Sequence, residues 1–178
     1  NTLSCWQGGW HASYTLADLD GMALRLARHL RCMGLRRGDR IGICAKNCIE
    51  WVLLDLAALK AGVQTAGFEP GRYTKDPDLV ARYGLNLLYT DEPLHGAGVI
   101  DIRTVVPSIY AIADGEPFAT RYAPTDCPTI KFTSGSTGAA KTFPKLWRSV
   151  NGSNACNAAA MRAALKIGDN DVPWIVAT

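Results

Sequence analysis

The chain has 178 residues, 48% hydrophobic and 20% charged, with a formal net charge of +3 at pH 7. That length and apolar content build one real core and exclude a disordered polymer. Its 19 lysines and arginines are scattered through helix- and turn-like segments and form no stripe, so no nucleic-acid or anionic-membrane surface is implied.

Thr15 is positioned to cap a helix whose N3 residue is Asp18, and Leu16, Leu19, Ala23, Leu26, Leu30 and Met33 recur at steps of three and four until Gly34 closes it. Arg36, Arg37, Gly38 and Asp39 make a turn, expected to be solvated along with Arg40, before a short β-prone run at 40–44. A second helix is expected over 48–61, capped by Asn47 and ended by Gly62, with Trp51 as a packing residue. Residues 63–68 read as a strand, and Glu69, Pro70 and Gly71 as its turn. Asp76 and Pro77 read as the cap and first residue of a helix ending near Tyr83 and Gly84, with 85–90 as the next strand. Repeated αβ units of this spacing predict an α/β fold, a mainly parallel sheet with flanking helices and right-handed crossovers.

Residues 92–125, rich in proline and glycine, read as irregular apart from β-prone runs at 99–102 and 104–106. Ile130, Lys131 and Phe132 are β-prone, and 142–146 predicts a strand returning from the segment between. An alanine-rich helix follows over 147–165, weakened at Asn151, Gly152, Ser153 and Asn154; 168–171 is a turn, with Gly168 a turn glycine like Gly34, Gly38 and Gly62, and 172–178 a last run. The longest apolar stretch, 49–63, contains Glu50, Asp55 and Lys60 and is too short and too charged to span a bilayer. Asn1 opens the chain with no basic-then-apolar leader, and 172–178 ends it with no closing element, so a piece of a longer cytoplasmic polypeptide is expected. The cysteines at 5, 32, 44, 48, 127 and 156 form no C-x-x-C pair and have no histidines at zinc spacing, so reduced, mostly buried thiols are expected.

The segment 133–141 carries the chemistry. Thr133, Ser134, Ser136 and Thr137 offer hydroxyls, Gly135 and Gly138 permit backbone angles at which successive N–H groups converge on an anion, and Lys141 adds charge, with no acidic residue among them. Polyphosphate is the ligand such a loop best fits; a plain flexible connection between two strands is the structural alternative. Gly135 to Thr142 nearly satisfies the P-loop pattern G-x-x-x-x-G-K-[ST], but Ala140 stands where backbone must hug phosphate. A P-loop NTPase also needs a later strand ending in a magnesium-binding aspartate, whereas the late apolar run 174–177 ends in Thr178.

Thr133, Ser134, Gly135, Ser136, Thr137, Gly138, Ala139, Ala140 and Lys141 together resemble the T-S-G-[ST]-T-G-x-P-K signature of the adenylate-forming, AMP-binding superfamily of acyl-CoA synthetases and peptide-synthetase adenylation domains. Ala140 replaces the usual proline and Thr142 the following glycine, which alters loop stiffness more than phosphate contact. The resemblance extends in order through Tyr14 to Leu19, Leu26 to Leu30, Arg37 to Ile43, Asn47, Glu50, Trp51, Leu59 to Gly62 and Gly168 to Asp171, with Asp126 at the acidic position before the loop strand. It implies that 1–178 is an incomplete N-terminal large domain, family-like from about residue 14. The activity implied is an ATP- and magnesium-dependent ligase: a carboxylic acid is converted to its acyl-adenylate with release of pyrophosphate, then passed to the thiol of CoA or of an acyl or peptidyl carrier protein. Lys141 is then the catalytic residue, 133–138 with Lys141 the nucleotide-binding loop, and Thr137 the magnesium contact. The adenine pocket, magnesium glutamate, ribose aspartate and C-terminal catalytic lysine of the family have no counterparts within the chain, so it should not turn over alone. The run from Lys141 to Trp147 is similar to a subgroup charging aryl or fatty acids onto carrier proteins, though Lys145 and Trp147 read equally as a surface lysine and a packed tryptophan. A catalytically inactive nucleotide-binding module, a P-loop NTPase and a non-enzymatic interaction domain are the competing readings.

Overall fold

A computed structural model of the chain describes residues 2–7, 9–113, 115–133, 141–164 and 166; the turn at 168–171 and the run at 172–178 lie outside the described residues. Strands β1 (Thr2–Gln7) and β2 (Trp10–Thr15) form an antiparallel hairpin that the sequence reading does not anticipate. Along β1 the side chains alternate, Leu3 and Cys5 packing on the core while Ser4 and Trp6 face outward.

Helix α1 (Leu16–Cys32) starts where expected, in a reciprocal cap: Asp18 N–H donates to Thr15 Oγ1 (3.1 Å), and Thr15 N–H donates to Asp18 Oδ2 (2.8 Å). Leu19, Ala23, Leu26, Ala27 and Leu30 are its buried stripe, whereas Leu16 and Met33, at the ends of the apolar pattern, are exposed. Strand β3 (Arg40–Cys44), helix α2 (Ile49–Ala61) and strand β4 (Gln64–Phe68) follow. Cys48, in extended backbone, is the N-cap residue of α2 and makes no side-chain cap bond, so the expected cap at Asn47 falls one residue early. Gly62 ends α2 at φ 81°, a left-handed conformation that glycine adopts without steric cost.

The helix expected from Asp76 begins later and is shorter, as α4 (Leu79–Arg82), and a separate short helix, α3 (Arg72–Lys75), precedes it. Pro77 accounts for the end of α3: a residue before proline is driven out of the helical region, and Asp76, at φ −138°, terminates that helix. After β5 (Leu87–Thr90) and β6 (Val99–Asp101), the run 104–106 is not β-structure. Asp101 accepts from the Arg103 N–H (2.9 Å) to cap a 3₁₀ turn over Ile102–Thr104, and α5 (Val105–Tyr110) carries Pro107 in its first turn, where no backbone donor is required. Strands β7 (Thr129–Thr133) and β8 (Lys141–Lys145) precede α6 (Trp147–Ala164), which runs through 151–154 without a break.

The fold is α/β. Six strands join in the order β6-β5-β3-β4-β7-β8, with every neighbouring pair parallel except β7 and β8. Ile41 and Ile43 point to one face, under α1, α2 and α5, while Cys44, Ala66 and Leu88 point to the other, under Tyr73 and Leu79 of α3 and α4. At Gly42 an added Cβ would lie 2.6 Å from Leu85 Cδ1 and 2.8 Å from Leu88 Cδ1, so its lack of a side chain allows that second face to close.

Candidate functional site

The parallel strands β3, β4, β5 and β7 end at one edge of the sheet, at Cys44, Phe68, Thr90 and Thr133. From β4 the chain passes to β5 on the far side of β3 and later returns to put β7 beside β4, so strand order reverses at the centre of this edge. Ligands of open α/β sheets bind beyond such carboxyl ends. Thr133 ends β7, Lys141 begins β8, and the two are register partners across the antiparallel ladder. The structure thus brings together the first and last of the expected site residues; Ser134, Gly135, Ser136, Thr137 and Gly138 lie outside the described residues.

Elements distant in sequence hold this hairpin. Phe132 stacks on Phe68 (centroids 4.9 Å apart, planes at 18°) and meets Tyr83 edge-on (4.6 Å), while Phe68 and Tyr83 also meet edge-on (5.1 Å). At the start of β7, Thr129 Oγ1 donates to Thr65 O (3.2 Å), and Thr65 Oγ1 donates to Asp55 Oδ1 of α2 (2.7 Å).

The connection into β7 is tied down as well, although its sequence reads as irregular. Thr120 N–H donates to the Lys60 carbonyl (3.0 Å) and the Tyr122 hydroxyl to the Leu59 carbonyl (2.9 Å), satisfying acceptors that the last turn of α2 leaves open. Burial pushes the Tyr122 hydroxyl up to about 12, so it stays a neutral donor. The Arg31 guanidinium lies 3.8 Å over the Phe118 ring, and Tyr122 stacks on Trp147 (4.9 Å).

Two of the three arginines expected in a solvated turn are engaged. Arg37 Nη2 pairs with Asp126 Oδ2 at 2.6 Å, although its side chain is 57% exposed. Half-buried Arg40 donates through Nη1 to the Tyr83 carbonyl (2.6 Å), and its backbone N–H donates to Asn86 Oδ1 (2.8 Å). Arg36 is exposed, as expected. No local signal in the sequence pairs Arg37 with Asp126, which lies 89 residues away. Lys145 is exposed, and Trp147 half-buried against Tyr122, which favours surface and packing roles for the pair. Trp51 is half-buried over Gly67, where an added Cβ would lie 3.2 Å from Cζ2.

A polar hub closes the other half of the same edge. Glu92 Oε1 accepts from Cys44 Sγ (3.0 Å) and Gly71 N–H (3.0 Å), and Oε2 accepts from Thr74 N–H (2.7 Å) and Thr74 Oγ1 (2.6 Å). Burial alone would raise the Glu92 carboxyl; the four donors outweigh it and hold the group below the ordinary glutamate range. Burial first, and Glu92 second, push the Cys44 thiol up to about 12, making it an inert donor. A depressed carboxyl stabilises the fold above its unfolded-state pKa and loses that contribution as pH falls through its folded-state value. The wild type is therefore expected to lose stability faster than Glu92→Gln as pH is lowered through and below the ordinary glutamate range, as measured by urea unfolding at stepped pH. Parallel acid limbs would remove Glu92 from that role. All six cysteines are free, but Cys44 alone among them is fully buried and Cys32 and Cys156 are exposed, which corrects the expectation of mostly buried thiols.

Among the described residues no group of three or more His, Cys, Asp or Glu could hold a metal ion, and no helix is long and apolar enough to cross a membrane.

Comparisons with known proteins agree on the kind of fold. The profile of a family described as AMP-binding enzyme matches residues 5–177. Nonribosomal peptide synthetase malG of Malbranchea aurantiaca is 33% identical over 135 residues, which cover 72% of this chain and 6% of that protein. The acyl-CoA ligase sidI of Aspergillus fumigatus is 44% identical over 57 residues, 32% of this chain and 9% of that protein. The fatty acyl-adenylate ligase from L. pneumophila, solved with acyl adenylate and pyrophosphate, matches with a TM-score of 0.69 at 16% identity over 93% of this chain and 30% of that one. O-succinylbenzoate coenzyme A synthetase from Bacillus subtilis, solved with AMP, matches with a TM-score of 0.69 at 21% identity over 90% of this chain and 42% of that one. The chain therefore spans less than half the length of each of these proteins.

Proposed function

The chain belongs to the AMP-binding enzyme family, and from that membership we propose that it supplies the phosphate-holding part of an ATP-dependent, AMP-forming carboxylate ligase. In this reading 1–178 is part of the large domain and 133–141 is its phosphate loop. A carboxylate oxygen attacks the α-phosphorus of ATP, the bond to the bridging oxygen breaks, and pyrophosphate leaves; a thiol then attacks the acyl carbon and AMP departs. Negative charge builds on the β- and γ-phosphates during the first step. The hydroxyls of Thr133, Ser134, Ser136 and Thr137, the amides around Gly135 and Gly138, and the Lys141 ammonium are the donors that would hold that charge.

What supports this most directly is the register pair Thr133 and Lys141, which closes the signature loop at the carboxyl edge of a parallel sheet. The donor set of the loop, neutral hydroxyls and one cation without a carboxylate, suits phosphate oxygens. Magnesium in such a site would be held by those oxygens together with Thr137, and would neutralise charge on the leaving group. Similarity to peptide synthetases favours the thiol of a carrier protein as acceptor, and similarity to an acyl-CoA ligase favours CoA.

The test is pyrophosphate–ATP exchange by the intact protein across a broad panel of carboxylic acids with magnesium. Exchange that depends on one class of acid is the expected result. A second reading, a nucleotide-binding module without catalysis, is motivated by Ala140 and Thr142. It predicts that ATP with magnesium raises the melting temperature while no acid supports exchange. If neither occurs, the loop is only a connection.

A further inference from the structure

We propose that Asp126 is a positioning residue that latches the base of the 133–141 hairpin, with Arg37 as its anchor on the rest of the fold. The proposal rests on the reading of that hairpin as the phosphate loop. Asp126 is bonded to three separate parts of the chain. Its Oδ2 accepts from Arg37 Nη2 (2.6 Å), in the turn between α1 and β3, and from the Ala123 N–H (2.7 Å), which folds the preceding turn. Its carbonyl accepts from the Trp147 N–H (2.7 Å), the first residue of α6 after β8.

The side chain thus fixes the turn before the hairpin, and through it the backbone carbonyl that holds the chain just after the hairpin; removing the side chain leaves that carbonyl in place but unanchored. Trp147 is held a second time by stacking on Tyr122, and Arg148 N–H donates to the Pro124 carbonyl (3.2 Å). A hairpin closed at its base presents its tip at one place; an open one lets the edge strand β8 swing with its loop. Because Arg37 is 57% and Asp126 30% exposed, the pair contributes little to global stability, so its local effect is separable from unfolding.

The experiment compares Asp126→Ala, Asp126→Asn and Arg37→Ala in the intact protein by amide hydrogen exchange and by pyrophosphate–ATP exchange. In Asp126→Ala, amides of Thr129–Thr133 and Lys141–Lys145 are expected to exchange about 10-fold faster while those of α1 and α2 do not change. The KM for pyrophosphate is expected to rise about 10-fold with a smaller change in kcat, the fold-change of a coupling of ordinary size between neighbouring groups. Asp126→Asn, which keeps the acceptor but not the charge, should lie between, and combining Arg37→Ala with Asp126→Ala should add little to the worse single change.

Unchanged hairpin amides in both Asp126 variants overturn the latch, and so does a uniform rise over the whole chain with a matching fall in melting temperature. Should Asp126→Ala not fold, Asp126→Asn decides by the same criteria. If the hairpin loosens but the KM for pyrophosphate does not move, in an enzyme that Lys141→Ala inactivates, the positioning role fails and the phosphate reading stands. If the wild type shows no exchange with any acid, the phosphate reading fails and takes the positioning role with it, whatever the amides show.

Discussion

Lys141→Ala is expected to lower kcat/KM for adenylate formation by about two to three orders of magnitude, the usual consequence of deleting one preorganised donor from a site where charge develops. Lys141 is the last residue of the proposed loop and its single cation. Its value lies in the transition state: the pyrophosphate leaving group gains charge as the α-phosphate bond breaks, and a fixed ammonium is stabilising in proportion to that gain. Stability should be little affected, because the pairing of Lys141 with Thr133 across β7 and β8 is a backbone ladder that alanine preserves. Lys141→Arg restores charge in a differently shaped group and should recover part of the rate. Steady-state exchange kinetics beside a melting curve are the measurement. Exchange within a few-fold of wild type would remove Lys141 from the chemistry, and a collapsed melting temperature would make the loop structural.

The loop could be read from sequence because its chemistry is local: hydroxyls, glycines and a lysine within nine positions, behind a β-prone run. Its supports are non-local and carry no such mark. Arg37 and Asp126 are 89 residues apart, and nothing about either says that it will find the other. Phe68, Tyr83 and Phe132 each read as an ordinary apolar residue until the sheet sets β4 beside β7. The αβ repeats were legible for a different reason: short β-prone runs alternate with a helical apolar pattern, punctuated by Gly62 and Gly71. The errors fall where one local rule competes with another. Val105 and Val106 favour a strand by propensity, yet they open α5 directly after the 3₁₀ turn that Asp101 caps. In β1 Leu3 and Cys5 face the core, a short alternation to register, and outward-facing Trp6 works against it.

Phe132→Ala should cost about 2–3 kcal/mol of stability, somewhat below the range for a fully buried phenylalanine because this ring is only half-buried. Two losses combine. One is the apolar area against Phe68 and Tyr83; the other is the ring geometry itself, stacked at 4.9 Å on the first and edge-on at 4.6 Å to the second. Phe132→Leu separates them, since leucine keeps most of the area and forfeits only the aromatic pairing, about 0.5–1.5 kcal/mol. Phe132 is also the residue before Thr133, so loosening it frees the strand that carries the proposed loop. Exchange activity should therefore fall with stability, more in the alanine than in the leucine variant. That coupling distinguishes it from Lys141→Ala, where activity falls alone. Urea unfolding and pyrophosphate–ATP exchange, run on all three variants, decide the matter. If Phe132→Ala unfolds at the wild-type urea concentration, the three-ring cluster does not hold β7; if it is destabilised yet exchanges at the wild-type rate, β7 does not position the loop.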